Sequence, residues 1–114
     1  MCRIQKFTSD GKFILAWGED SEKPGGFRGG WMGGKMQGPV GICLDAEGKV
    51  WVSAVNGRVQ QYSTTGQYLR GLTEEPGSKP GQFKAPHGVA LDGEGNLYVV
   101  DGYNHRIQKF ATRR

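Results

Sequence analysis

Only a few side chains in this sequence could perform chemistry. There are two histidines, His87 and His105, and two cysteines, Cys2 and Cys43. Two cysteines make no disulfide framework, and their spacing fits no zinc-binding pattern. Cys43 falls in an apolar run, where a buried free thiol is expected. Ser53, Ser63 and Ser78 lack the elbow motif of a nucleophilic serine, and Glu74–Glu75 reads as solvated loop charge. The glycine run between 18 and 38 lacks the lysine and following helix of a phosphate cradle, so a loop between structural units is expected. Trp31 and Met32 at its centre either plug a hydrophobic face or form a binding rim with Arg28; the plug is favoured because bulky apolar side chains find cover. That leaves His87, one imidazole in "APHGVA", which needs partners from elsewhere to hold a metal.

What positions these residues is a repeat. "GPVGICLDAEGKVWVSA" (38–54) lies over "APHGVALDGEGNLYVVD" (85–101) without a gap. "GRVQQYSTTGQYLRGL" (57–72) lies over "CRIQKFTSDGKFILAW" (2–17), and "HRIQKF" (105–110) opens the same unit again. The offsets are 88 − 41 = 47 and 106 − 58 = 48, and 58 − 3 = 55 across the first loop. That spacing suits a four-stranded propeller blade. "RVQQY" and "RIQKF" alternate apolar and polar residues, as strands with one buried face do. "DAEG" and "DGEG" are turns whose Gly48 and Gly95 take positive φ, and "TTG" and "SDG" reverse the chain again. No segment keeps a 3.6-residue period.

The expected class is therefore all-β, with about 2.25 four-stranded blades per chain and strands named A to D from the inside out. Residues 2–17 supply strands C–D, 38–72 a full blade, and 85–110 strands A–C of the next, within a single partial propeller module. With 114 residues, 12.5 kDa and a net charge of +4, the chain is neither disordered by composition nor strongly anion-seeking. No apolar run reaches the roughly 18 residues of a spanning helix. No leader is visible, so a cytoplasmic location and no membrane association are the default expectations.

The stretch "GQFKAPHGVALDGEGNLYVVDGYNHRIQKF" (81–110) resembles the NHL repeat, a family whose units build propellers, usually of six blades. The first unit departs from the pattern, with Ala54 in place of the strand-end Asp. The resemblance implies six blades. Three chains would provide 3 × 8 = 24 strands, each chain's C–D pair completing a neighbour's A–B pair in a homotrimer. The two "RIQKF" copies are then rivals for one strand slot. The alternative is a longer polypeptide that supplies further blades itself.

A propeller's innermost strands line a channel, and His87 falls at its mouth. Three-fold assembly would bring three imidazoles towards one axis, the ligand set of a catalytic zinc. A further resemblance, to the peptidyl-hydroxyglycine lyases of peptide amidation, implies a zinc ligand at His87, an active-site tyrosine at Tyr103 and a substrate-handling arginine at Arg58. Against this stand plain structural roles: His87 as a loop residue, Tyr103 as a loop cap, Arg58 held by a nearby carbonyl or acid. Asp101 and Arg106 are expected to form a structural pair. The leading expectation is an oligomeric binding or scaffold module for a small molecule or peptide. The others are a zinc-dependent lyase or hydrolase and a protein- or RNA-binding propeller using Arg28, Lys35, Arg70 and Lys84.

Overall fold

The computed structural model describes residues 3–17, 39–54, 57–72 and 77–112. Trp31, Met32, Arg28, Lys35, Cys2 and Glu74–Glu75, named above, lie outside the described residues. Among the described residues nine strands form three antiparallel sheets. The first is a hairpin of β1 (Ile4–Phe7) and β2 (Phe13–Trp17). The second has four strands in chain order: β3 (Pro39–Leu44), β4 (Val50–Ala54), β5 (Arg58–Tyr62) and β6 (Tyr68–Gly71). The third has β7 (Pro86–Leu91), β8 (Asn96–Asp101) and β9 (Arg106–Ala111). No α-helix occurs among the described residues; a single 3-10 turn, Gly102–Asn104, joins β8 to β9.

The tight turns share one construction. Asp45 Oδ1 accepts hydrogen bonds from the backbone N–H groups of Glu47 and Lys49, both 2.9 Å, and the Gly48 N–H donates to the Asp45 carbonyl at 3.0 Å. Asp92 repeats the arrangement with Glu94, Asn96 and Gly95. Ser63 plays the same part between β5 and β6. A short polar side chain satisfies the turn's donors, and the glycine three residues later adopts the left-handed conformation, φ 84° at both Gly48 and Gly95.

The sheets stack face to face, and the four-stranded sheet is the middle layer. Val50, Val52, Ala54 and Tyr62 on one of its faces pack against Ile4 and Trp17 of the hairpin. Trp51 and Val59 on the other face meet Phe83, Leu97 and Val99 of the third unit, with Cys43, Val89, Leu91 and Phe110 at the margin. Alternation along β4 thus serves two interfaces, and all five of its residues are buried. The innermost strands approach closely: a Cβ on Gly41 would stand 2.6 Å from the His87 carbonyl oxygen and 2.8 Å from Ser53 Oγ. Only glycine fits there. Ser53 Oγ donates to that same His87 carbonyl at 3.3 Å and accepts from the Gly41 N–H at 3.1 Å, tying the two sheets together at one end.

Candidate functional site

That end of the stack carries the residues singled out for chemistry. Strand pairing sets Pro86 against Asp101 in one sheet and Pro39 against Ala54 in its neighbour. The start of each innermost strand therefore lies beside the connection from second to third strand. His87 is exposed on β7, and a Cβ on Gly102 would fall 2.3 Å from its Nδ1. Glycine at 102 makes room for the imidazole. Tyr103, the next residue, is half exposed, and its backbone N–H donates to the Lys84 carbonyl at 3.1 Å. His87 and Tyr103 thus share one loop cluster. Arg58 opens β5 at the same end of the adjacent sheet, half-buried and paired in register with Ala54.

Beneath this cluster lies a clamp centred on Asp101, whose side chain is fully buried. Its Oδ1 accepts from the Lys84 backbone N–H at 2.8 Å. Its Oδ2 accepts from Asn104 Nδ2 at 2.8 Å and Arg106 Nε at 2.9 Å. Arg106 also donates to the carbonyls of Ser78, Lys79 and Gln82. Gln108 bonds the Gln82 carbonyl and the Gly81 N–H, while Phe110 rests on Phe83 with centroids 5.6 Å apart. A buried carboxylate with this many donors is a rigid support rather than a reactive group. In the first unit Ala54 stands where Asp101 does, so the register position opposite Arg58 carries a methyl group.

Other candidates take structural parts. Cys43 is a half-buried free thiol, and its pKa rises to about 11 because burial, and then the nearby Asp45 charge, disfavour the thiolate. Arg70 stacks on Trp51 and donates to Gln61 and to the Thr112 carbonyl. His105 is exposed and left-handed, φ 54°. An open cleft of about 860 Å³ lies at the opposite end of the sheets, among Asp45, Glu47, Trp51, Arg70 and Asp92; none of His87, Tyr103 and Arg58 lines it. Among the described residues no group of three His, Cys, Asp or Glu side chains could hold a metal ion.

Residues 83–110 match the model of the NHL repeat. The chain carries an NHL repeat. The three antiparallel sheets, of two, four and three strands, are consistent with part of an NHL propeller. The chain is 42% identical over 81 residues to peptidyl-glycine alpha-amidating monooxygenase from Mus musculus, covering 65% of this chain and 8% of that protein. It is 27% identical over 111 residues to NHL repeat-containing protein 3 of the same species, 94% of this chain and 30% of the relative. Peptidyl-alpha-hydroxyglycine alpha-amidating lyase 2 of Drosophila melanogaster is 28% identical over 93 residues, 77% of this chain and 23% of the relative. The chain thus spans less than a third of the length of each. An NHL propeller of this kind fits a binding or scaffold module in general terms. Among the described residues no helix is long and apolar enough to cross a membrane.

Proposed function

We propose that this NHL chain is a self-assembling module, in which three copies close a six-bladed ring whose loop end, bearing Arg58, His87 and Tyr103, holds a small molecule or peptide. One observation carries the assembly. Ile107 on the outward face of the three-stranded sheet is 68% exposed, whereas Val59, its counterpart in the four-stranded sheet, is 0% exposed. Val100 is likewise exposed where its counterpart Ser53 is fully buried. A face patterned like a blade interior has no blade against it among the described residues. Exposed apolar faces and open sheet edges invite a partner, and a head-to-tail repeat of one interface closes as a ring. Sedimentation equilibrium tests the reading: a mass of three times 12.5 kDa supports it, and a single-chain mass overturns it.

The likeness to proteins named as amidating lyase and amidating monooxygenase favours a second reading, a zinc-dependent lyase or hydrolase. Among the described residues of one copy no two further ligands join His87, short of the three protein ligands a catalytic zinc needs. A three-fold ring would offer three imidazoles, and zinc held there would supply Lewis-acid chemistry. Metal analysis of the assembled protein after zinc loading separates the readings. Stoichiometric zinc that disappears in His87→Ala supports the second; zinc-loaded protein that retains none overturns it.

A further inference from the structure

We infer that β1 of a second copy takes the strand slot that β9 occupies in the single chain, bringing β2 with it as the fourth strand of a two-chain blade. The inference rests on the self-assembly proposed above and specifies its contact. The slot recognises three side chains: Arg106 through Asp101 and the carbonyls of Ser78, Lys79 and Gln82, Gln108 through Gln82 and Gly81, and Phe110 through Phe83. The strand it reads is Arg106-Ile107-Gln108-Lys109-Phe110, and Arg3-Ile4-Gln5-Lys6-Phe7 repeats it at all five positions. In the N-terminal stretch the corresponding residues, Arg3 just before β1 and Gln5 and Phe7 within it, are exposed, while Ile4 packs on the four-stranded sheet. Phe7 meets only the Phe13 ring of its own hairpin among the described aromatic contacts, and among the described residues no cradle like that around β9 surrounds Arg3 and Gln5.

A second feature fits the same exchange. No strand among the described residues pairs with the free edge of β1. The hairpin covers Val50, Val52, Ala54 and Tyr62 but leaves the innermost strand of that face bare: Val40, Ile42 and Leu44 are each half or more exposed. The repeat counterparts of Ile42 and Leu44, Val89 and Leu91, are packed into the interface with the four-stranded sheet. What would cover the bare strip beside β1 is the β7–β8 face of the second copy, bearing Gly88, Ala90, Tyr98 and Val100. The equivalent face of the four-stranded sheet, with Gly41 and Cys43 on its innermost strand, packs against β7 in this way within one chain.

β9 and a second copy's β1 cannot both occupy the slot. β9 has the advantage of a short connection, but it presents an edge with no fourth strand among the described residues. β1 arrives already paired to β2 and, by docking, covers the Val40, Ile42 and Leu44 strip as well. Burial of apolar surface scales with the area removed from water, so exchange removes three exposures where retention of β9 removes none. Such swapping of like elements is an established route to assembly. The register copies that of β8 with β9: Asp101 opposite Arg3, Val100 opposite Ile4, Val99 opposite Gln5, Tyr98 opposite Lys6 and Leu97 opposite Phe7.

Cysteine pairing tests this directly, since directly opposed strand positions lie within disulfide reach. In a Cys2→Ser, Cys43→Ala background, Ile4→Cys with Val100→Cys is expected to give covalent dimers and trimers on mild oxidation, resolved on a non-reducing gel. The matched pair Val100→Cys with Ile107→Cys is expected to remain unlinked in the assembled protein. If the second pair instead closes within single chains, or the first stays at single-chain mass while the unsubstituted protein sediments at three times 12.5 kDa, strand exchange is overturned and self-assembly stands. A single-chain mass for the unsubstituted protein is the separate result that removes self-assembly itself.

Discussion

Asp101 Oδ2 stands 2.9 Å from the Nε of Arg106, with the carboxylate wholly buried and the guanidinium partly exposed. The pair joins the end of one strand to the start of the next and orders the loop that carries Tyr103. Asp101→Ala would remove the acceptor of the Lys84 N–H and one partner each from Asn104, Arg106 and Gln108. Breaking such a buried pair from one side costs about 3–5 kcal/mol, a large part of a small domain's stability. Denaturant unfolding of Asp101→Ala should show that loss. A change below about 1 kcal/mol would mean the clamp is dispensable.

Acid should weaken the turn at Asp92. Its carboxyl is held at about 2, first by the Asn96 side chain and backbone N–H, then by the Glu94 N–H and Tyr98 hydroxyl. A group whose pKa is lower folded than unfolded contributes stability above its unfolded value. That contribution is lost as pH falls through the folded value. The contribution of Asp92 is therefore complete above about 4, its ordinary value being 3.8, and fades towards pH 2. Asp92→Asn should flatten the stability profile between those values. An unchanged acid limb in circular dichroism titrations would contradict this.

Much of the fold was legible because the repeat is redundant. The strand-turn-strand units announce themselves through alternation and through the Asp-x-x-Gly turns, and φ at Gly48 and Gly95 is positive as the turn chemistry requires. The Asp101–Arg106 pair was equally legible, since a strand-end carboxylate and the arginine five residues on must meet across the connection. Other features had no local signal. Ala85 is left-handed, φ 51°, although nothing in its residue type asks for it. The Ser53–His87 link and the close approach at Gly41 arise only when two sheets pack. Cys43 is half-buried rather than fully enclosed because it sits at the margin of its cluster.

Trp17 illustrates a cost that sequence reading cannot see. Its Nε1 is buried with no hydrogen-bond partner among the described residues, while its ring packs 5.8 Å from Tyr62 and fills the space above Gly66. An unmade hydrogen bond of a buried donor costs about 1–3 kcal/mol. Trp17→Phe removes that donor and part of the ring, so the two effects oppose each other. We expect thermal and denaturant unfolding of Trp17→Phe to fall within about 1 kcal/mol of the parent, whereas Trp17→Ala loses about 3 kcal/mol through the void it leaves. Equal losses in the two variants would show that the orphan donor carries no penalty.

Gly41 and Gly88 occupy equivalent positions but meet different surroundings, and that difference separates folding from assembly. A Cβ at Gly41 collides with the His87 carbonyl oxygen at 2.6 Å, whereas at Gly88 the nearest atom is Val100 Cγ2 at an ordinary 3.6 Å. Overpacking against backbone costs about 1–3 kcal/mol, so Gly41→Ala should destabilise the chain by that order. Gly88→Ala should leave the fold of a single chain intact. In a ring, however, Gly88 faces a neighbouring copy as Gly41 faces His87, and its added methyl would press on the neighbour's Val40 carbonyl. Gly88→Ala is therefore expected to shift sedimentation from the three-chain mass towards the single chain, with the circular dichroism spectrum unchanged. If Gly88→Ala assembles as the parent does, the bare face of the three-stranded sheet is not the ring contact.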